Sequence, residues 1–255
     1  YFPLFLLTRK LGKFDMFISF RNSFRSNFYK FFIRSDLKFK YKKSSFQNSH
    51  QVEKYCKFIN QSLNIDFPIG SLTIYSDGSL KEAPKDMKKK KPRLGINPGA
   101  SYGNAKRWYP EEFAGVAAYL SNQFDIFILG GSNEKEIAME IEKILVKKGI
   151  TNYQNLVGIT NISDLIYQIS NFDLFITGDS GPMHIAACYK VPTVSIFGPT
   201  KDNETSQWDS KKSIILKKNL DCQPCMKRIC PLKHHKCMKL IKAKDVLKEV
   251  ESFNL

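Results

Sequence analysis

Asp173-Leu174-Phe175-Ile176-Thr177-Gly178-Asp179-Ser180-Gly181-Pro182-Met183-His184-Ile185-Ala186-Ala187 is the stretch whose reading decides the fold. Asp173 to Thr177 is a short, largely apolar run that reads as a buried strand, and Met183 to Tyr189 reads as a helix. Between them lie Gly178, Ser180, Gly181 and Pro182, the punctuation of a tight strand-to-helix loop. Pro182 suits the first helical position, and Gly181 lets a ligand come close to the backbone. The helix leaving this loop offers the positive end of its dipole to an anion, so a diphosphate can be held there without a metal. Asp179, at the strand end, is placed to accept hydrogen bonds from sugar or ribose hydroxyls. His184 falls about one turn into the helix. It has two readings, a side chain facing the same cleft or a core-edge residue of an Ala-rich helix.

Outward from this stretch the same unit repeats. Leu94 to Pro98, Asp125 to Leu129, Asn155 to Val157 and Thr193 to Phe197 read as short strands. Pro110 to Asn122, Glu134 to Lys148, Ile162 to Ile169 and Lys244 to Phe253 read as helices. Apolar strands alternating with amphipathic helices predict an α/β fold with a doubly wound parallel sheet, whose ligands sit at the carboxyl ends of the strands. Upstream, Phe14 to Phe20 predicts a strand, Ser23 to Ile33 a helix, Lys38 to Lys43 a solvated connection and His50 to Leu63 an amphipathic helix. Ser76 to Pro92 loses periodicity and turns Lys-rich, which makes it the linker. We therefore expect a first domain over 1–86, a linker to about 92, and a second domain over 93–255.

Two further loops follow predicted strands. Asn97-Pro98-Gly99-Ala100-Ser101-Tyr102-Gly103-Asn104-Ala105-Lys106-Arg107-Trp108 leaves backbone N–H groups open to an anion and carries the point charge of Lys106. It lacks the Gly-Lys-Ser/Thr ending of a Walker A loop, and taken alone it reads first as an ordinary turn with an exposed lysine. Leu129-Gly130-Gly131-Ser132-Asn133-Glu134-Lys135-Glu136 places acidic residues in a first helical turn, where they complement the dipole or bind ribose.

The formal charge is +16, and residues 1–91 hold 19 Lys/Arg against 7 Asp/Glu while 92–255 hold 21 against 17. The excess thus belongs to the N-terminal part. It suits an anionic partner, or reflects the abundance of Lys, Asn, Phe and Ile throughout. A nucleic-acid-binding role is disfavoured, because the aromatics occupy strand and helix positions instead of interleaving with arginines, and no RRM, KH or zinc-finger pattern occurs. The opening Tyr1-Phe2-Pro3-Leu4-Phe5-Leu6-Leu7 is too short to span a bilayer and lacks the plan of a signal peptide. Starting at Tyr1, the chain is expected to begin inside a domain.

Taken together, Gly99-Ala100-Ser101 with Lys106-Arg107-Trp108 and Pro110-Glu111-Glu112, Leu129 to Ser132, Asn155 to Thr160, Gly178 to His184 and Phe197-Gly198-Pro199-Thr200 resemble glycosyltransferase family 9, and within it the ADP-heptose:lipopolysaccharide heptosyltransferases. The likeness spans residues 93–240, with weaker echoes in Phe20 to Ser26 and His50 to Glu53. It implies a GT-B fold of two Rossmann-like domains, the N-terminal one incomplete here. The implied activity is metal-independent, inverting heptosyl transfer from ADP-heptose to the lipid A–core acceptor, without cofactor or nucleic acid. The implied setting is the cytoplasmic face of the inner membrane, with transient contact there.

Carried onto this chain, the resemblance makes Lys106 and Asp179 the catalytic pair. Lys106 neutralises the leaving diphosphate and Asp179 positions the donor. Ala100, Ser101, Ser180, Gly181 and His184 join them at the donor, with Glu134 or Glu136 at the ribose and Val157, Gly158 and Thr160 at the adenine. Arg21 and Arg25 are the expected acceptor contacts, for a Kdo carboxylate or a core phosphate. The family's general base is an aspartate near the N-terminus, and no position in this chain matches it. No metal is expected in the chemistry. The C-x2-C-x4-C-x6-C spacing of Cys222, Cys225, Cys230 and Cys237 keeps open a structural zinc, an iron–sulfur cluster or a labile thiol pair beside simple packing.

Overall fold

The computed structural model describes residues 2–43, 49–75, 91–100 and 102–254. Ser101 and most of the Lys-rich stretch, 76–90, lie outside the described residues. The chain divides into two compact units, Tyr1–Gly70 and Ser71–Leu255.

In the first unit α1 (Phe2–Lys10), β1 (Lys13–Ser19), α2 (Phe24–Phe32), β2 (Arg34–Lys40) and α3 (Gln51–Leu63) follow one another. The two strands pair in parallel, Lys13 beside Arg34 and Ser19 beside Lys40. Ser23 caps α2 by accepting the Ser26 N–H, and His50 with Glu53 forms a reciprocal cap on α3, so both helices begin where capping chemistry puts them. The expected solvated connection at Lys38 to Lys43 is corrected, because its first part is strand. Lys38 and Lys40 belong to that strand and their ammonium groups reach back to α2, Lys38 Nζ donating to the Lys30 carbonyl at 2.8 Å and Lys40 Nζ donating to Asn27, while Lys42 and Lys43 follow the strand and are exposed. Long basic side chains can cover apolar surface in this way while the strand keeps its ladder.

The second unit is built on β3 (Arg93–Asn97), β4 (Asp125–Ile128), β5 (Tyr153–Asn155), β6 (Leu174–Gly178), β7 (Thr193–Ile196) and β8 (Ser213–Leu216). They form one all-parallel sheet in the order β5-β4-β3-β6-β7-β8. The order runs outward from β3 in one direction and then, from β6, in the other, which is the doubly wound arrangement expected from the sequence. Its switch point lies between β3 and β6.

Helices α4 (Pro110–Leu120), α5 (Lys135–Lys147) and α10 (Ala243–Glu251) cover one face, meeting Leu94, Ile96, Ile126, Ile128, Leu174 and Ile176. The opposite face packs Phe127, Leu129 and Phe175 against Ile169 of α6 (Ile162–Ser170) and Ala186 of α7 (Gly181–Cys188). Alternate strand residues serve alternate faces, and both faces are dry. The centre of the sheet depends on Gly95. A Cβ there would stand 2.2 Å from the Phe172 ring, which stacks on Phe175 at a centroid distance of 5.8 Å.

Element bounds shift by a few residues from the sequence reading, and two differences matter here. The strand expected at Asn155 to Val157 ends at Asn155, and Val157 turns into the core behind it. β8 had no expectation, because Ser213-Ile214-Ile215-Leu216 is short and follows a polar loop. Short helices α8 (Asp202–Thr205) and α9 (Lys236–Lys239) complete the unit. Among the described residues no helix is long and apolar enough to cross a membrane.

Candidate functional site

The carboxyl ends of β3 and β6 open into a cavity of about 920 Å³. Most of its lining comes from the loops after β3, β4 and β6, with Thr160, Asn161, Ile162 and Leu165 beyond β5, Thr200 and Thr205 beyond β7, and Met226 completing it. Asn97, the last residue of β3, ties two of these loops together. Its amide donates to Thr177 Oγ1 and to Ser180 Oγ, each at 3.1 Å. The strand ends on either side of the switch point are therefore held at one spacing before any ligand arrives.

At the floor of the cavity the Lys106 ammonium lies 2.5 Å from Asp179 Oδ2, with the two side chains 12% and 8% exposed. Thr200, beyond β7, donates its hydroxyl to the same oxygen at 2.6 Å. Both contacts thus fall on Oδ2, and among the described residues no group engages Oδ1. The carboxylate presents one committed oxygen and one available to a ligand hydroxyl. Lys106 also lies 4.7 Å from the centre of the Tyr102 ring, a cation–π contact that helps hold a charged side chain in a poorly hydrated place.

The helix beyond Asp179 begins with Gly181 and Pro182, with Ser180 at its N-cap, making no side-chain cap. Pro182 carries no N–H and the Met183 N–H donates to the Ser180 carbonyl at 3.2 Å, so it is the Gly181 amide that is left to meet a ligand. A Cβ built on Gly181 meets nothing within 4 Å, so the space in front of this turn is open for a ligand to approach.

Glu134 stands at the other end of the cavity. Its Oε2 accepts the Gly131 N–H at 2.8 Å, and its Oε1 lies 3.5 Å from the Arg107 guanidinium. Gly99 makes room for it, since a Cβ there would come within 2.6 Å of Glu134 Cγ. Thr160, Ile162 and Leu165 also line the cavity, the last two adding apolar surface.

The structure therefore brings together Lys106, Asp179, Ala100, Glu134, Thr160, Ser180, Gly181 and His184 around one cavity. Glu136 is not among its lining residues: one turn step beyond Glu134, it points outward and is exposed. Val157 packs in the core, and Gly158, at φ +76°, supports the turn against Ser132 and Lys135 without lining the cavity. Arg21 and Arg25 belong to the first unit, exposed on the turn after β1 and in the first turn of α2. Ser101 lies outside the described residues. Sequence reading gave no role to Arg107, Tyr102 or Thr200, although Thr200 ends the quoted Phe-Gly-Pro-Thr run and Arg107 adjoins Lys106.

The four clustered cysteines are free thiols. They border a cavity of about 20 Å³ together with His234 and His235. Among the described residues no three ligand-type side chains converge as a metal site. Burial pushes the Cys237 thiol up to about 11, with the neighbouring Cys230, Cys225 and Cys222 adding to the effect. Reactivity follows the thiolate. At pH 7.5 iodoacetamide is expected to label the half-buried Cys222, Cys225 and Cys230 well before Cys237, read by peptide mass spectrometry. Labelling of Cys237 first would contradict this environment.

A doubly wound sheet with an ammonium, a helix N-terminus and a carboxylate gathered at its switch point defines an α/β protein whose ligand cleft suits an anion. Comparison with known proteins carries this further. The chain belongs to glycosyltransferase family 9, the heptosyltransferase family, whose sequence model matches residues 6–236, and it is a glycosyltransferase. It is 42% identical over 248 residues to lipooligosaccharide heptosyltransferase 2 of Campylobacter jejuni serotype O:2, covering 96% of this chain and 77% of that protein. Lipopolysaccharide heptosyltransferase 2 of Escherichia coli K12 is 29% identical over 130 residues, 51% of this chain and 37% of its own. Among solved structures, E. coli ADP-heptose lps heptosyltransferase II aligns with a TM-score of 0.75 at 22% identity, covering 98% of this chain and 79% of that one. The family 9 glycosyl transferase of Veillonella parvula aligns with a TM-score of 0.78 at 20% identity, covering 98% and 77%. At these identities the structural likeness speaks to the fold.

Proposed function

We propose that the chain transfers L-glycero-D-manno-heptose from ADP-heptose to the heptose/Kdo–lipid A inner core of lipopolysaccharide, inverting the anomeric centre without a metal. The observation that carries this reading is the placement of the Lys106 ammonium directly beside the α7 N-terminus in the lining of one cavity at the switch point. The diphosphate lies against both, its charge met by the ammonium and by the Gly181 N–H. Glu134 and the apolar surface of Ile162 and Leu165 take the nucleoside. Asp179 Oδ1 accepts a hydroxyl of the donor sugar and fixes its orientation. As the bond to the leaving phosphate breaks, negative charge grows on ADP, and preformed donors in a shielded site stabilise that charge without reorganising. Arg21 and Arg25 contact the anionic groups of the acceptor, and the lipid-linked acceptor brings the protein to the cytoplasmic face of the inner membrane.

Calorimetric titration with ADP, UDP and GDP tests the donor assignment. ADP is expected to bind at least about tenfold more tightly than either alternative, a difference of about 1.4 kcal/mol. Equal affinity for all three nucleotides, or no binding of ADP, would overturn it.

A further inference from the structure

Lys106 sits at the end of a short 3-10 turn, Asn104–Lys106, and something must hold that turn where its ammonium meets the ligand. The residue before it, Ala105, is 3% exposed, and both of its backbone polar groups are taken by one distant segment, loop 217–235 between β8 and α9. Its N–H donates to the Arg228 carbonyl at 3.0 Å. Its carbonyl lies 2.9 Å from His235 Nε2. A carbonyl only accepts, so Nε2 carries the proton. In the neutral ring Nδ1 is then the acceptor, and it receives the Tyr109 hydroxyl at 3.0 Å. Tyr109 is the N-cap residue of α4, so one imidazole pins both the lysine turn and the helix that follows it. His235 does this from a left-handed backbone at φ +48°, a conformation that persists when surrounding contacts over-determine it.

We propose that His235 is a positioning residue: its ring, with the Arg228 carbonyl, clamps the Ala105 peptide groups and thereby sets where the Lys106 ammonium stands. The inference rests on the donor-site reading given above and deepens it. The rest of the loop acts in the same sense. The Met226 carbonyl accepts the Tyr102 hydroxyl at 2.8 Å, and the Arg228 guanidinium covers the Tyr102 ring at 5.3 Å, the ring that Lys106 contacts.

The test is a double-mutant cycle read as the ADP dissociation constant of the whole chain, with melting temperature measured alongside. His235→Phe keeps an aromatic ring but removes both nitrogens, and it is expected to weaken ADP binding about tenfold. His235→Gln retains an N–H able to reach the Ala105 carbonyl and recovers most of that loss. In a Lys106→Ala background the effect of His235→Phe shrinks to within about twofold, because a residue acting through Lys106 has nothing left to act on. A His235→Phe loss of the same size in both backgrounds would show a general structural role and overturn the proposal, as would unchanged affinity in His235→Phe alone. If His235→Phe does not fold, Tyr109→Phe, which deletes only the Nδ1 partner, carries the same cycle with a smaller expected loss. Lys106→Ala leaving ADP affinity untouched would instead sink the donor-site reading.

Discussion

Lys106→Ala is expected to lower kcat/KM for ADP-heptose by about 10²- to 10³-fold, the range found when one preformed charge-stabilising donor is removed. Two effects combine. The leaving diphosphate loses its ammonium, and Asp179 loses the partner 2.5 Å away, keeping only the Thr200 hydroxyl on Oδ2. Stranding a largely buried charge is itself destabilising. The pair is largely buried but borders an open cavity, so about 1–2 kcal/mol is expected after allowance for screening. Pairing Lys106→Met with Asp179→Asn separates the two effects. The double variant removes both charges and is expected to regain melting temperature while remaining inactive. Recovery of turnover in the double variant, or undiminished turnover in Lys106→Ala, would remove Lys106 from the chemistry.

The second large effect is expected at Gly103. Its φ of +151° and ψ of +169° lie in a region open essentially to glycine alone. A Cβ there would also stand 2.5 Å from the Arg228 carbonyl oxygen, a backbone atom that cannot swing aside. Gly103→Ala is therefore expected to cost about 1–3 kcal/mol in stability and to lift loop 97–107 off loop 217–235. Thermal unfolding reads the first consequence and ADP affinity the second. Gly181→Ala serves as the control for stability, since its Cβ meets no protein atom within 4 Å. Equal melting temperatures for the two variants would contradict the close docking described here.

The second unit was largely legible in the sequence because its strands are apolar, its helices amphipathic and its loops rich in small residues. Those are local signals, and they mark the strand-end loops at Gly99, Lys106, Asp179 and Gly181 that line the cavity, while the catalytic roles given to Lys106 and Asp179 come from the family resemblance. What escaped was either short or distant. β8 has four residues, and β2 is patterned by lysines whose stems cover α2. Between Glu134 and Glu136 the sequence offered no choice, and the 3-10 turn Ser132–Glu134 decided it by turning one carboxylate back onto Gly131. The contact of His235 with Ala105 joins residues 130 positions apart, and no periodicity or motif spacing encodes such a meeting.

Because loop 217–235 supplies the far half of these hydrogen bonds, the six strands alone are not the smallest working piece of the second unit. A version ending at residue 216 would keep the entire sheet and the loops after β3, β4 and β6. It would nonetheless leave the Ala105 amide and carbonyl, the Tyr102 and Tyr109 hydroxyls and the Trp108 indole N–H, which now donates to the Ile241 carbonyl at 2.9 Å, to find water instead. Domain swaps between relatives should accordingly exchange the Asn104–Lys106 turn and the cysteine-bearing segment as a matched set.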